Sequence, residues 1–246
     1  MKIAFVQPAN NQKSGKWKAQ GVYRTPTNLA ILASYVRENG YDPKIYDFDL
    51  ESGNSIENAR TIMSDNPDVI GFTCLTPRFP LVVEIANECK KIKSNVVTVV
   101  GGSHVNGQPK HVVKYPSIDY AILGEGEEAL LDLLNHIEEG KDVSNLPNLA
   151  FEKDGNCIVN PKRPYIEDLN TLPFPAWDLL NLDYYTDPAF FYGPHLGLLS
   201  GRGCPFSCSF CASKVVWGRQ TRARSAINIA DEIEIAIKEY NIREFM

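Results

Sequence analysis

Two hydrophobic patterns alternate along residues 1–140. Short runs rich in valine and isoleucine are separated by longer segments in which apolar residues recur every three or four positions. The first pattern is typical of buried strands, and the second is typical of helices with one apolar face. The strands predicted in this way lie at residues 2–6, 44–46, 69–73, 96–100 and 120–123. Because strands alternate with helices, the pattern predicts an α/β fold with a parallel sheet.

Helix boundaries are marked between these strands. Thr25 predicts an N-cap with Pro26 at the first helical position, and Gly40 predicts a left-handed helix end. Gly140 predicts the end of the last helix in the same way. Apolar residues at helical spacing form four faces: Leu29, Leu32, Ala33 and Val36; Ile56, Ala59 and Met63; Val82, Ile85, Ala86 and Cys89; Leu130, Leu133, Leu134 and Ile137. We expect a doubly wound sheet of the flavodoxin-like, Rossmann-like type.

The pattern changes after residue 140. Apolar residues on both sides of Asp154 and Gly155 predict a β-hairpin, and the prolines clustered between 161 and 188 predict a connector. A strand at 196–200, a helix with Ser225 as N-cap and a strand at 242–245 then predict a strand–helix–strand unit. We therefore divide the chain into a domain at 1–140, a connector at 141–195 and a final unit at 196–246. Since one such unit cannot close a core, we expect a longer natural protein.

Composition narrows the functional classes. The chain has 246 residues, 25 basic and 30 acidic, for a net charge of −5. Nucleic-acid binding relies on clustered basic surface, so we expect no nucleic-acid partner. No apolar run approaches the roughly 20 residues of a membrane span, and residues 2–8 do not fit a signal peptide. We expect a cytoplasmic protein whose cysteines stay reduced.

Three cysteines are clustered after the predicted strand at 196–200. Cys204, Cys208 and Cys211 are separated by three and then two residues. An iron–sulfur cubane usually takes four cysteines, so three thiolates leave one iron open to another ligand. The alternative is a structural zinc site, which needs a fourth ligand, and His195 is the nearest candidate. The spacing favours iron over zinc.

The segment from Cys204 to Cys211, with Phe210 before the last cysteine, resembles the signature of the radical S-adenosylmethionine (SAM) superfamily. The resemblance implies that Cys204, Cys208 and Cys211 hold a 4Fe–4S cluster whose open iron binds S-adenosylmethionine. It also implies that Phe210 packs near the adenine and that Arg202 lies close to the bound groups. It further implies that residues 196–246 are the start of a truncated TIM-type partial barrel, with its first strand–helix unit. An electron donor such as a flavodoxin or ferredoxin would reduce the cluster.

Polar and glycine residues follow the predicted strands of the first domain. Ligands of open α/β sheets bind at these strand ends, although glycine loops there are also ordinary turns. The candidate cofactor-binding residues are Gln7, Thr73, Leu75, Thr76, Gly101, Gly102, His104, Gly124, Glu125, Gly126 and Glu127. His104 could face a ligand or could only satisfy backbone groups.

Residues 1–140 resemble the cobalamin-binding domain that precedes the radical domain in one branch of that superfamily. The likeness lies in Gly101, Gly102 and His104, and in the run from Gly124 to Glu127. No Asp-x-His-x-x-Gly follows the first strand, where residues 7–20 run instead. The resemblance therefore implies base-off cobalamin with no protein histidine on cobalt.

We therefore expect the N-terminal part of a cobalamin-dependent radical SAM enzyme that cleaves S-adenosylmethionine reductively, for radical methylation or rearrangement of an unidentified small molecule. The alternative is a non-catalytic cobalamin-binding module with a structural cysteine–metal site. A nicotinamide-binding glycine motif after the first strand and the acidic residues of a phosphoacceptor receiver are both missing from the sequence. With the barrel unfinished, we expect this chain to bind cofactors without turnover.

Overall fold

Five parallel strands form the centre of the structure. The computed structural model describes residues 1–9, 24–50, 53–187 and 190–246, so most of the segment 7–20 lies outside the described residues. The strands are β1 (Lys2–Gln7), β2 (Asp42–Asp47), β3 (Val69–Thr73), β4 (Val97–Gly101) and β5 (Tyr120–Ile122). They lie in the order β2-β1-β3-β4-β5 and pair in parallel. The predicted α/β, flavodoxin-like sheet is confirmed.

Helices cover both faces of this sheet. They are α1 (Thr27–Glu38), α2 (Ser55–Met63), α3 (Phe79–Ile92), α4 (Ser103–Gly107), α5 (Pro109–Val112) and α6 (Glu127–Glu139). One apolar core lies between the sheet and α2 and α3, and the other lies between the sheet and α1 and α6. Gly140 ends α6 with a φ of 64°, as predicted.

The predicted start of α1 is wrong by one residue. Pro26, and not Thr25, is the N-cap, and no side chain caps this helix end. The Thr25 hydroxyl instead accepts a hydrogen bond from the backbone nitrogen of Gly197 at 3.0 Å. The Thr25 hydroxyl, predicted from local sequence to cap the helix, is therefore used in a tertiary contact instead.

The predicted hairpin belongs to the sheet. β6 (Leu149–Lys153) pairs antiparallel with β5, and β7 (Asn156–Val159) pairs antiparallel with β6. Asp154 and Gly155 both have positive φ, as a two-residue hairpin turn requires. The hairpin lies within the segment 141–195 that the sequence assigned to a connector, so the sheet has seven strands and continues past residue 140. Pairing with β6 satisfies the backbone N–H and C=O groups along the free edge of β5.

The last fifty residues form a small second layer. β8 (His195–Leu196) pairs in parallel with β11 (Glu244–Phe245), and α8 (Ala226–Tyr240) connects them. Ser225 caps α8 as predicted, accepting from the backbone nitrogen of Asn228 at 3.2 Å. The strand predicted at 196–200 is shorter than expected, because the chain leaves β8 after Leu196.

A second hairpin branches from this layer. β9 (Gly201–Arg202) pairs antiparallel with β10 (Arg222–Ala223), and the three clustered cysteines and α7 (Ser213–Val216) lie in the loop between them. We call residues 203–221 the cysteine loop and the β9–β10 pair its neck. The layer packs on α1, where Ala30 contacts a buried cluster that includes Leu196, Ala236 and Ile242.

Candidate functional site

An apolar cavity of about 110 Å³ lies at the carboxyl ends of β3, β4 and β5. This is the edge of an open α/β sheet at which ligands bind. Of the residues predicted from sequence, those that line it are Thr73, Gly101, Gly102, Gly124, Gly126, Glu127 and Arg202. The structure therefore brings together predicted residues from three strand ends and from the neck of the cysteine loop.

The glycines around this cavity have different roles. A Cβ atom on Gly102 would lie 2.7 Å from the carbonyl oxygen of Cys74, so that glycine allows two backbone segments to approach. A Cβ atom on Gly101 would meet no atom within 4 Å. Space beside Gly101 is therefore open to a ligand, whereas Gly102 is explained by the fold.

Several residues that line the cavity were not predicted as site residues. Leu29 and Leu32 come from α1, where sequence periodicity assigned them to the core. Val216 and Trp217 come from the cysteine loop and close the cavity on the side away from the sheet. Periodicity shows that α1 has an apolar face but not that part of this face borders a cavity. No sequence signal placed Trp217 beside the strand ends.

A more polar cavity of about 300 Å³ adjoins the apolar one. Gln7, Thr25, Thr27 and residues 197–199 contribute to it, and Thr73, Asn28 and Leu29 line both cavities. The Gln7 side chain donates hydrogen bonds to Asp47 at 3.1 Å and to Asp49 at 3.3 Å. Together the two cavities form one groove with an apolar end and a polar end.

Two glutamates predicted to bind cofactor are buried in ion pairs. Glu127 accepts from both terminal nitrogens of Arg202, at 2.5 and 3.2 Å, and Glu125 lies 3.1 Å from Arg202. Arg222 donates to Glu125 at 3.0 Å, and each of the four residues is 6% exposed or less. We call these four residues the arginine–glutamate cluster. Their side chains face protein partners, and Glu127 and Arg202 also border the apolar cavity.

Opposing effects act on the pKa of Arg202. Burial lowers the pKa of a cation, but the neighbouring carboxylates of Glu127 and Glu125 outweigh burial, so the pKa lies above its ordinary value. Arg202 also lies 4.9 Å above the ring of Trp217, and Arg222 lies 4.9 Å above the ring of Tyr165. Arg202 therefore stays charged although it is buried.

The cysteine loop is exposed to solvent. All three cysteines carry free thiols, and Cys208 and Cys211 are exposed while Cys204 is partly covered. Phe210 is 91% exposed. Within the described ranges, no three histidine, cysteine, aspartate or glutamate side chains lie close enough together to hold a metal ion. The loop presents the predicted donor set without a preformed metal geometry.

The remaining predicted residues lie outside both cavities. Leu75 and Thr76 are exposed on the β3–α3 loop. His104 is buried, packs 4.5 Å from the ring of Phe79 and contacts the Thr76 hydroxyl at 3.1 Å through Nδ1. Its hydrogen bond is thus to a side chain and not to a backbone group, and His104 lines neither cavity. Burial lowers its pKa, and His111 adds to the effect.

His195 does not join the cysteines. It is 1% exposed on β8, and its ring stacks 4.6 Å from the ring of Phe190. Neither ring nitrogen has a hydrogen-bond partner among the described residues. The zinc alternative drew on His195 as fourth ligand, and the geometry gives that ligand set no support.

Comparisons with known proteins identify the sheet region. A family profile described as "B12 binding domain" matches residues 21–134. Over 245 residues the chain is 33% identical to an uncharacterised methyltransferase of Pyrococcus horikoshii, a match that covers 99% of this chain and 52% of the relative. Over 180 residues it is 31% identical to the cobalamin-dependent radical SAM methyltransferase TokK of Streptomyces tokunonensis, covering 68% and 25%. The chain thus spans about half the length of the first relative and a quarter of the second.

A solved structure matches the fold as a whole. The radical S-adenosylmethionine methyltransferase TsrM from Kitasatospora setae, with cobalamin and a [4Fe-4S] cluster bound, superposes with a TM-score of 0.74 at 18% identity. The match covers 99% of this chain and 47% of TsrM. In the described part of this chain, no helix is long and apolar enough to cross a membrane.

Proposed function

The chain carries a B12-binding domain and is homologous to cobalamin-dependent radical SAM methyltransferases, and from this premise we propose that it forms the cofactor-binding part of such an enzyme. In this proposal the groove at the strand ends binds cobalamin, and the cysteine loop binds a 4Fe–4S cluster and S-adenosylmethionine. The observation that carries the proposal is that one cavity is lined both by the B12-binding domain and by the cysteine loop. The two cofactor sites would share a wall.

The polarity of the groove supports cobalamin as its ligand. Cobalamin combines an aromatic base with a corrin ring fringed by amides, and the groove combines an apolar end with a polar end. Space for a ligand is open beside Gly101, where a Cβ atom would meet no atom within 4 Å. In the described ranges no histidine lines either cavity.

The cysteine loop fits an iron–sulfur cluster by the chemistry of its donors. Cys204, Cys208 and Cys211 supply three free thiols on one exposed loop, and such a set leaves one iron open. Metal sites often assemble only when the metal binds, so an open loop is compatible with this role. A hydrogen bond also joins the two sides of the loop, because Cys204 donates from its backbone nitrogen to the carbonyl oxygen of Gly218 at 3.3 Å.

The residues of this chain would bind and orient the cofactors. When bound, the cluster supplies the electron that cleaves S-adenosylmethionine, and cobalamin supplies a methyl carrier. Trp217 and Val216 would exclude water from the apolar end of the groove. Arg202 would hold the loop against the groove through Glu127. We propose radical methylation as the reaction class. We also propose a boundary at residue 195 before the barrel start, with the hairpin of β6 and β7 counted as part of the sheet domain.

Anaerobic reconstitution of the purified chain with iron and sulfide tests the cluster assignment. We expect the wild type to take up about four iron and four sulfide and to develop a reducible absorption band near 400 nm. Cys208→Ala should lose this band, because two thiolates do not hold a site-differentiated cubane. Cys157→Ala is the matched control, since Cys157 is a half-buried cysteine on β7, and it should reconstitute like the wild type.

The same preparations distinguish the radical SAM assignment from the alternative function, a non-catalytic module with a structural metal site. Stoichiometric zinc in the purified chain, with no reducible iron chromophore after reconstitution, would support a structural metal site and contradict the radical SAM assignment. Hydroxocobalamin added to Cys208→Ala should still give the spectral change seen with wild type, because Cys208 does not line the groove.

A further inference from the structure

Two arginines anchor the neck of the cysteine loop from opposite strands. Arg202 on β9 pairs in register with Arg222 on β10, and both side chains reach the β5–α6 loop. Arg202 contacts Glu127, and Arg222 contacts Glu125. The two strands that begin and end the loop are therefore both tied to the segment that borders the apolar cavity.

The charges in this cluster balance. Two guanidinium groups face two carboxylates, and all four side chains are 5% exposed or less, so water screens the attraction only weakly. Arg222 also donates to the backbone oxygen of Ile166 at 2.5 Å and to that of Trp217 at 3.4 Å. Losing one partner leaves a buried charge uncompensated, which is far more costly than losing an exposed pair.

A second contact ties the loop to the same place. Lys162 donates to the backbone oxygen of Val215 in the loop and to the side-chain oxygen of Asn106, both at 2.9 Å. That oxygen of Asn106 also accepts from the backbone nitrogen of Gly124 at 2.8 Å. Burial lowers the pKa of Lys162. The glycine segments at the strand ends and the cysteine loop thus share hydrogen-bond partners.

By contrast, the outer part of the cysteine loop has little cover. Residues 205–212 are all exposed, and they include Cys208 and Cys211. Buried contacts of the loop lie instead near the neck, at Val216 and beside Trp217. Any ligand that fills the cavity contacts Val216 and Trp217. It therefore contacts the part of the loop that is anchored to the rest of the protein.

We propose that the arginine–glutamate cluster couples the cavity to the cysteine loop, so that a cobalamin bound in the groove orders the loop before a cluster is present. Arg222 is the positioning residue, since it holds the neck without lining the groove. By linkage, cluster loading then strengthens cobalamin binding by the same factor. The inference rests on the proposed function and specifies how its two sites are coupled.

Hydrogen–deuterium exchange on the metal-free full chain tests the coupling without any turnover. Hydroxocobalamin should slow exchange of the amides in residues 204–218 of the wild type by at least about fivefold, the lower end of ordinary allosteric coupling. Arg222→Lys keeps the charge but loses the planar guanidinium contacts. It should keep the cobalamin spectral change and slow exchange in the loop by less than about twofold.

Two further variants keep this test decisive. Arg219→Lys makes the same substitution at an exposed arginine in the same loop and should behave like the wild type. Glu125→Gln removes the carboxylate that Arg222 contacts and should reproduce the loss of protection if Arg222→Lys does not fold. Thermal melts of each variant identify any that is unfolded.

The outcomes distinguish the two proposals. If cobalamin binds to the wild type but protects the loop equally in Arg222→Lys and Arg219→Lys, or does not protect it at all, the coupling is wrong and the cofactor assignment stands. If the wild type gives no cobalamin spectral change, the proposed function fails and the coupling fails with it.

Discussion

Two buried histidines carry a pH dependence that follows from their surroundings. Burial lowers the pKa of both His104 and His195 below the ordinary value for histidine. His104 is enclosed by Phe79 and Thr76, and His195 by Phe190. In the unfolded chain both imidazoles titrate near their usual pKa of about 6.5.

The sign of the effect on stability is therefore fixed. Above about pH 6.5 both states hold these imidazoles neutral, so they contribute no pH dependence. Below that pH the unfolded chain gains protons that the folded chain resists, so folding stability falls. We expect the wild type to unfold at a lower midpoint concentration of guanidinium chloride at pH 5.5 than at pH 7.5. His104→Gln should show a smaller drop in this midpoint. An equal drop in the variant would contradict the burial of His104.

At the residue scale, sequence predicts chemistry that is local in the chain. Cys204, Cys208 and Cys211 could be predicted as cluster ligands from their spacing, because one loop contains all three. The partners of Arg222 could not be identified, since Glu125 lies 97 positions away. An arginine in a polar run is ordinarily a solvated side chain, and only the fold shows that this one is buried.

Among the secondary-structure elements, β6 and β7 change the predicted organisation. Periodicity identified the hairpin but not its pairing, because the partner of β6 depends on which edge of the sheet is left uncovered. Leu149, Ala150 and Phe151 are buried against the edge strand β5. Two hydrogen bonds between Leu123 and Asn148 extend the pairing of β5 with β6. The Leu123 backbone nitrogen donates to the Asn148 backbone oxygen at 2.8 Å, and the Leu123 backbone oxygen accepts from the Asn148 side chain at 2.6 Å.

A truncation pair tests the place of the hairpin. A chain that ends at residue 140 loses β6 and β7, and exposing the surface they cover costs about 5 kcal/mol, which is comparable to the whole stability of a small domain. We expect it to show no cooperative thermal transition by circular dichroism. A chain that ends at residue 168 keeps the hairpin and should melt cooperatively. Cooperative melting of both at the same temperature would contradict the seven-strand sheet.

In the whole molecule, the groove depends on segments that are distant in sequence. β3, β4 and β5 supply one wall, α1 supplies Leu29 and Leu32, and the cysteine loop supplies Val216 and Trp217. The strand ends could be predicted because the edge that binds ligands follows from sheet topology. The loop's part in the groove could not, since it depends on how the last fifty residues pack against α1.

We propose that cobalamin occupies the cavity beside Gly101. Gly101→Leu tests this claim, because its Cβ atom would meet no atom within 4 Å and Gly101 lines the cavity. Gly107→Leu is the matched control, since Gly107 also faces open space but lines neither cavity.

The most direct measurement is a hydroxocobalamin titration of the two variants and the wild type, followed by absorbance. We predict that Gly101→Leu raises the dissociation constant at least about tenfold, equivalent to about 1.4 kcal/mol, at an unchanged melting temperature. Gly107→Leu should bind like the wild type. Equal affinity in all three proteins would contradict the account, because the cavity would then not be where cobalamin binds.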